Sequence, residues 1–237
     1  MLAGRAPSAH AAELIVMVPS PMRAAMVELL AAFEATHPHK ITIVHAPSKM
    51  IVERVTAGEA VDVTILTDQA TDALIKQGKL VRRVDLVRSS LGVAVKSGAP
   101  KPDIGTVEAF KRTMLAAKSF ARNAGAESGI HVEAVFERLG IAEQMKAKTT
   151  AMPVGTGYVA SLVARGEVEM AAQQMPELMA VPGVDPTPLP AELQLTIVFS
   201  AGISASSKQP DAANELAAFL SSPAAAPVFK AKGLDPA

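Results

Sequence analysis

A regular alternation of two hydrophobic patterns constrains the fold of this chain more than any other feature. Three short apolar runs typical of buried strands, ELIVMVPS, ITIVHAPS and VDVTILTD, lie between residues 13 and 68. Each is followed by a segment whose apolar residues recur at helical spacing, and proline or glycine ends the first two of these helices at Pro38 and Gly58. Alternating strands and helices favour a parallel sheet with helices on its faces, so the sequence predicts an α/β fold.

A second block of the same kind runs from about residue 94 to 193. Its predicted helices are TVEAFKRTMLAA, with Thr106 as N-cap, AESGIHVEAVFERLG, and GTGYVASLVARGE, which opens at Gly155. Its predicted strands are SLGVAVKSGAP, SFARN, AKTTAM and the start of VEMAAQQMPELM, whereas the proline-rich VPGVDPTPLPAELQ is predicted to be a loop. The strand LTIVFSAGIS and two terminal helices belong to neither block. With 237 residues, the chain is long enough for two lobes of about 100 residues each.

Composition and charge exclude several classes of function. The formal net charge is zero and aromatic residues make up only 3% of the chain, which argues against a nucleic-acid partner. Cysteine is absent, which excludes disulfides, zinc–thiolate sites and iron–sulfur clusters. His37 and His39 flank Pro38 in a predicted loop without metal-ligand spacing, so we expect no metal and no cofactor. No run of 18 apolar residues exists, and direct membrane insertion is not expected.

The first twelve residues, MLAGRAPSAHAA, are small and polar and end in an A-x-A pattern. Such a pattern can mark a signal-peptidase site, although no apolar segment of 7–15 residues precedes it. We interpret residues 1–12 as the remnant of a truncated signal peptide or a disordered N-terminus. A periplasmic location is the expectation and a cytoplasmic one the alternative.

Three segments resemble type II periplasmic solute-binding proteins, above all the molybdate-binding-protein-like family of bacterial extracellular solute-binding proteins. They are GEAVDVTILTDQATDALIKQGKLV, ESGIHVEAVFERLGI and FLSSPAAAPVFKAKGL, and Asp62 lies where that family has an aspartate. The resemblance extends from about residue 13 to residue 235 and rests on the order of several short motifs.

The resemblance implies a two-lobed type II periplasmic binding protein fold. Each lobe would hold a mixed, mostly parallel sheet flanked by helices, and two crossover strands would join the lobes. Lobe I would comprise residues 13–92 and 197–237, and lobe II residues 93–196. The terminal helices would return to lobe I, the lobes would hinge, and ligand would bind in the cleft between them. Alternatively, these helices are C-terminal caps on another α/β domain.

Candidate ligand-binding residues lie in the turns that follow the predicted strands. Ligands of doubly wound sheets meet the carboxyl ends of strands, where the starts of helices offer unpaired N–H groups to anions. Gln174, at the end of EMAAQQ, joins the set by the arrangement of the family. The ten candidates are Ser20, Ser48, Lys49, Arg122, Asn123, Ser128, Thr156, Gly157, Tyr158 and Gln174.

Structural roles remain open for several of these residues. Ser20 and Ser48 could cap their helices, Arg122 could form a structural salt bridge, and Gln174 could satisfy backbone groups. The segment GTGYVA is not a dinucleotide-binding motif, because Ala160 stands at the place of the third glycine.

Three residues depart from the pattern of molybdate binders, and they change the ligand that we expect. Pro21 occupies the place of their first-turn serine, Lys49 enters the second turn, and Gln174 stands for the tyrosine that closes the site. Molybdate sites use neutral donors, whereas a lysine, which Arg122 could join, favours an anion that needs charge pairing. We therefore expect an organic carboxylate or another oxyanion, with molybdate, tungstate or sulfate as the alternative.

Recognition without turnover is the function that these turns favour. The sequence lacks GxSxG, a P-loop and HExxH, and no carboxylate falls in the predicted turns, so an enzyme is not expected. The resemblance implies the solute-binding component of an ABC-type importer, a monomer whose partners are a small anionic ligand and a membrane permease. A cytoplasmic ligand sensor of the same fold, and a small hydrolase or isomerase on this scaffold, are the alternatives.

Overall fold

The structure is a computed structural model that describes residues 11–237 of the chain. Within that range it confirms the mixed α/β class, with two sheets flanked by helices. The strands are β1 (Glu13–Val18), β2 (Lys40–His45), β3 (Val63–Thr67), β4 (Leu80–Ser89), β5 (Leu91–Lys96), β6 (Phe120–Ala124), β7 (Thr149–Pro153), β8 (Met170–Gln174), β9 (Val184–Pro188), β10 (Ile197–Ser204) and β11 (Leu234–Pro236). The α-helices are α1 (Arg23–Thr36), α2 (Ser48–Thr56), α3 (Asp68–Lys76), α4 (Val107–Ala116), α5 (Glu127–Arg138), α6 (Ala142–Lys146), α7 (Ala160–Ala164), α8 (Met175–Met179), α9 (Pro210–Leu220) and α10 (Ala226–Ala231).

The chain divides into two compact units. The first unit contains the described part of Met1–Leu86 together with Ser200–Val228, and the second contains Val87–Phe199 together with Phe229–Ala237. The lobe boundaries predicted from the sequence differ in assigning residues 87–92, 197–199 and 229–237 to the first lobe, and they stay a prediction. Of the predicted N-terminal remnant, residues 1–10 lie outside the described residues. Ala12 is already part of the first unit, since its carbonyl accepts a hydrogen bond of 2.8 Å from Lys40 N.

The larger sheet has the strand order β11-β4-β10-β3-β1-β2. β1 pairs in parallel with both β2 and β3, and its register places Val18 opposite His45. The carboxyl ends of β1 and β2 therefore lie side by side. β4 was missed in the sequence, because its charged residues interrupt the apolar pattern. The structure gives one of them, Arg83, ion-pair partners at Asp72 (2.5 Å) and Asp85 (3.0 Å).

The smaller sheet has the order β7-β6-β8-β5-β9. β6 pairs in parallel with β7 and β8, whereas β5 is antiparallel to β8 and β9. The prediction of a loop over the proline-rich segment was wrong, since Val184–Pro188 forms the edge strand β9. An edge strand tolerates Pro186 and Pro188, because one side of it needs no backbone donors.

The fourth strand–helix turn is longer than predicted. Helix α7 begins at Ala160, not at the glycines before it, and Gly155 and Gly157 adopt φ angles of +87° and +127°. These positive values lie outside the helical region and suit glycine alone among common residues. The turn therefore presents its residues as an irregular loop. The short helices α6 and α8 were not predicted from the sequence.

Apolar packing fixes the elements of each unit. In the first unit Met17, Ile51, Leu66 and Leu74 are fully buried in one cluster that joins β1, α2, β3 and α3. In the second unit a cluster that includes Val163, Ala171 and Leu178 holds α7, β8 and α8 together. Burying each valine, leucine, isoleucine or methionine side chain of these clusters contributes roughly 1.5–3 kcal/mol.

Helix α9 packs against the first unit. Its Phe219 lies 5.4 Å, centroid to centroid, from the ring of Phe33 on α1. Glu215 on the same helix contacts the buried ring of His39 at 3.0 Å. Helix α9, which follows β10, thus belongs to the first unit.

Asp62 has a structural role at the start of β3. One carboxylate oxygen accepts a hydrogen bond of 2.8 Å from Ile15 N, and the other accepts one of 2.6 Å from the Ser207 hydroxyl. The Asp62 carbonyl accepts a third bond, of 3.0 Å, from Ser204 N. Asp62 therefore links β1 and β10 to the start of β3. Helix α3 follows the other end of β3.

Candidate ligand-binding site

Buried side-chain atoms at strand ends mark candidate ligand contacts, one in the first unit and two in the second. Within residues 11–237, His45 Nδ1, Ser89 Oγ and Gln174 Oε1 are buried without a hydrogen-bond partner. Each belongs to the last residue of its strand, β2, β4 or β8. Buried polar atoms are nearly always paired, and an unpaired one costs about 1–3 kcal/mol. Because strand ends are where α/β sheets bind ligands, these atoms point to a polar ligand.

In the first unit, Ser20 and Ser48 both follow strands whose carboxyl ends lie together. Ser20 begins a short 3-10 helix after β1, and Ser48 is the first residue of α2 after β2. The N-cap positions belong to Pro19 and Pro47, and no side chain caps either helix. Helix capping, the alternative role for the two serines, is therefore not what the structure shows, and both hydroxyls remain candidates for ligand contact.

Lys49 lies in the first turn of α2 with 89% of its side chain exposed. Its ammonium group is 4.0 Å from Glu53, one helical turn further along. Such exposed pairs contribute little to stability. The lysine therefore places a positive charge beside the second turn without being fixed by the fold.

His45 and Arg23 are functional candidates that the sequence analysis missed. His45 ends β2 directly before the turn that contains Ser48, and Arg23 begins α1. Burial lowers the pKa of His45 below 6.5, the Arg23 charge lowers it further, and a hydrogen bond to the Val18 backbone acts in the opposite direction. The imidazole is therefore neutral near pH 7. A histidine as the last residue of an apolar strand, next to a strand–helix turn, was the signal that could have found it.

In the second unit, the neighbouring parallel strands β6 and β8 bring Asn123 and Gln174 to the same edge of the sheet. Both are buried, with 5% and 7% of their surface exposed. Ser128, in the first turn of α5, is buried to 98%. A Cβ added to Gly129 would meet the Asn123 carbonyl oxygen at 1.8 Å. Only glycine therefore allows α5 to begin so close to the end of β6.

Arg122 is engaged in an ion pair. Its guanidinium donates to Glu133 on α5 and, at 3.1 Å, to the Asn123 carbonyl. Only 11% of its side chain is exposed, and burial lowers the pKa of the guanidinium. Arg122 and Glu133 also line a cavity of about 400 Å³ beside α5 and α6, together with Glu137, Glu143 and Lys146. This arrangement favours the structural salt bridge that the sequence analysis left open as the alternative.

The loop before α7 holds three predicted residues, Thr156, Gly157 and Tyr158. The Thr156 hydroxyl donates to the Pro153 carbonyl at 2.7 Å, which closes the loop on itself. Tyr158 is half-buried. The end of the loop is fixed where Val159 N donates to the Gln173 side-chain oxygen at 3.0 Å. The structure thus brings this loop to the carboxyl end of β8, where Gln174 lies.

A buried carboxyl group, which the sequence analysis did not place in any turn, lies next to Gln174. Gln174 is the N-cap of α8, and Glu177, at the third helical position, accepts a hydrogen bond from the Gln174 backbone, as in a capping box. The Gln173 side chain also donates to it. Burial nevertheless raises the pKa of Glu177 from 4.5 to about 8, since these two bonds oppose but do not cancel desolvation. Glu177 is therefore mostly protonated at neutral pH.

The described range contains neither a clustered metal site nor a membrane-spanning helix. Residues 11–237 contain no group of three histidine, aspartate or glutamate side chains placed to hold a metal ion. No helix in this part of the chain has the length and hydrophobicity needed to cross a bilayer.

The two α/β units, with polar groups collected at strand ends, have the architecture of type II periplasmic binding proteins. The chain belongs to the family of bacterial extracellular solute-binding proteins, which it matches over residues 14–235.

Among solved structures, the periplasmic molybdate-binding protein of Azotobacter vinelandii superposes with a TM-score of 0.76 at 20% identity, over 93% of this chain and 98% of that one. PEB3 of Campylobacter jejuni with bound L-phospholactate superposes with a TM-score of 0.71 at 15% identity, over 94% and 99%. These likenesses concern the fold.

An enzyme is also among the relatives. The chain is 35% identical over 218 residues to a protein of Pseudomonas sp. named aconitate isomerase. The matched region covers 88% of this chain and 82% of the relative. Family membership alone therefore does not confirm the expectation that the chain is not an enzyme.

Proposed function

We propose that this protein is the solute-binding component of an ABC-type importer and that its ligand is a small organic polycarboxylate. Buried, unpaired polar atoms at the strand ends of each unit carry this proposal. In the second unit the Ser89 hydroxyl can donate to a carboxylate oxygen, whereas Gln174 Oε1 accepts and suits a hydroxyl or a protonated carboxyl group of the ligand. In the first unit His45 Nδ1 of the neutral imidazole is likewise an acceptor.

The charges near these atoms favour carboxylates over a tetrahedral oxyanion such as molybdate. Arg23 and Lys49 lie beside the strand ends of the first unit, and Arg can bind a carboxylate through two parallel hydrogen bonds. Pro21 stands where molybdate binders have a serine, as the resemblance implied. Two relatives are consistent with an organic anion, since one is named for aconitate and another was solved with L-phospholactate.

Localisation and partners follow from the family and are part of the proposal. As the sequence analysis predicted, we expect a periplasmic monomer that presents a small anionic ligand to a membrane permease. Molybdate or tungstate is the alternative ligand, and it is supported by the fold likeness to the protein of Azotobacter vinelandii.

Isomerisation of an unsaturated tricarboxylate is the second candidate function. The 35% identity to aconitate isomerase exceeds the 15–20% shared with the two binding proteins described above. Each unit also holds an acid–base group: burial and the Arg23 charge lower the pKa of His45 in the first unit, which leaves a neutral imidazole near pH 7, and burial raises the pKa of Glu177 in the second unit to about 8. Binding and turnover use the same ligand class, so one set of assays addresses both.

A thermal-shift screen tests the ligand class. The panel contains cis-aconitate, trans-aconitate, citrate and tricarballylate against molybdate, tungstate and sulfate. A ligand at 100 times its Kd should stabilise the protein by about 2.7 kcal/mol, which corresponds to several degrees in Tm. Lys49→Ala should weaken binding of the best carboxylate, whereas Lys76→Ala, at the end of α3, is the matched control. A shift with molybdate or tungstate alone would contradict the proposal.

A further inference from the structure

His45 has a ring nitrogen that is placed to accept a proton. Every histidine within residues 11–237 uses its ring in the fold, and the ring of His45 has a hydrogen bond to the Val18 backbone. His37 contacts the Thr36 hydroxyl at 2.9 Å, His39 accepts a bond of 3.2 Å from Ala12 N, and His131 contacts the Leu193 carbonyl at 2.8 Å. Nδ1 of His45 is buried and has no such partner in the described part of the chain.

The elements around His45 bring positive charge and backbone donors close to its ring. It ends β2 opposite Val18 of β1, and α2 begins three residues later. Arg23 at the start of α1 acts on the ring electrostatically, and Lys49 lies in the first turn of α2. The first N–H groups of α2, a helix of nine residues, have no partners within the helix. A carboxylate held by these groups would lie beside a neutral imidazole.

We infer that His45 transfers the proton in an isomerisation of unsaturated tricarboxylates such as cis- and trans-aconitate. This inference rests on the second candidate of the proposed function and names its catalytic residue. Nδ1 takes one proton from the CH2 carbon that bears a carboxylate. The C–H electron pair forms a new double bond to the central carbon, and the electron pair of the old double bond moves to the former vinyl carbon.

The imidazolium then returns one proton to that carbon, which becomes the CH2 group of the product. One C–H bond breaks and one forms, so the reaction needs no oxidant, reductant or co-reactant. Whether the new double bond is cis or trans depends on how the substrate carboxylates are held after the proton has left, while the resulting negative charge is delocalised. The N–H groups of α2 would stabilise that charge on the carboxylate oxygens as fixed donors, and Arg23 would add positive charge beside them.

The test compares two substitutions of His45 with a matched histidine. His45→Gln and His45→Asn keep a polar side chain but cannot transfer the proton, and His37→Gln changes a histidine of the same unit outside the site. Interconversion of cis- and trans-aconitate is followed by proton NMR, and binding by the ligand-induced shift in Tm. We expect both His45 variants to lose at least about 100-fold in rate while they keep a ligand-induced shift. The control should match the unchanged protein.

A pH profile separates proton transfer from a structural role. The rate of the unchanged protein should fall as the pH is lowered through the pKa of His45, below 6.5, because the imidazolium cannot accept a proton. Any residual rate of the His45 variants should lack this step. Retained turnover in either variant, or loss of binding together with turnover, would overturn the inference. Binding of aconitate by the unchanged protein without turnover would overturn both the inference and the isomerase candidate, and would leave the binding proposal standing.

Discussion

Replacing Glu177 by glutamine should stabilise the protein, and the gain should grow as the pH rises toward 8. Glu177 is 93% buried, and burial raises the pKa of its carboxyl group to about 8. Glutamine has almost the same shape, and its amide oxygen can still accept the hydrogen bond from the Gln174 backbone that begins α8. The substitution therefore removes the ionisable group and preserves the helix cap.

The magnitude follows from the difference in pKa between the two states. In the unfolded chain the carboxyl ionises near 4.5, whereas in the folded protein it keeps its proton to about 8. Between these values the unfolded state binds fewer protons, so the free energy of unfolding decreases with rising pH by about 1.4 kcal/mol per pH unit. The raised pKa of Glu177 thus costs the fold about 3 kcal/mol at pH 7 and almost nothing below pH 4.5.

Urea denaturation of the two proteins between pH 5 and pH 8.5 measures this effect. The difference in unfolding free energy between Glu177→Gln and the unchanged protein should increase steadily up to pH 8 and then level off. Glu108→Gln, an exposed glutamate in the first turn of α4, is the control and should show a nearly constant difference. Parallel stability curves for Glu177→Gln and the unchanged protein would refute the reasoning, because they would mean that Glu177 is ionised in the folded state.

Three further predictions concern packing, a buried carboxylate and the candidate site. Gly129→Ala should lower the unfolding free energy by about 3 kcal/mol or more, because the added methyl group would overlap the Asn123 carbonyl. Gly105 has open space around it, so the control Gly105→Ala should change the unfolding free energy by less than about 1 kcal/mol in the same urea assay. Asp62→Asn should cost about 1–3 kcal/mol, since an amide cannot accept both of the bonds described above; an unchanged denaturation midpoint would contradict that role. Gln174→Leu should leave the Tm of the ligand-free protein unchanged or raised but reduce affinity for the best carboxylate at least tenfold by calorimetric titration, and unchanged affinity would remove Gln174 from the site.

Much of the fold was predictable because it depends on local patterns. The strand ELIVMV and the helix capped by Thr106 follow from apolar spacing and capping chemistry, and both were confirmed. β4 and β9 were missed because their stability comes from neighbours. The charges of β4 are paired across the surface, as for Arg83, and the prolines of β9 are tolerated only because the strand lies at a sheet edge.

The candidate site was predictable only in part. Strand–helix turns identify where donors collect, and Gln174 does end a strand with an unpaired buried atom. The sequence alone does not show whether Arg122 contacts a ligand or a glutamate of the protein. Glu133 is eleven residues away, and only the packing of α5 on β6 brings the two side chains together. Likewise, burial and the charge of Arg23 lower the pKa of His45. Neither the burial of this histidine nor its proximity to Arg23 can be read from the sequence.

The central place of β10 has a consequence for how the protein is made. This strand lies between β4 and β3, yet its residues 197–204 leave the ribosome after the whole of the smaller sheet has been synthesised. Until then β3 and β4 each carry an unfilled edge whose backbone groups can pair with another chain. The growing polypeptide is therefore most vulnerable to aggregation while the second unit is being translated. If translation pauses there, we expect a chaperone to be needed to cover the incomplete larger sheet.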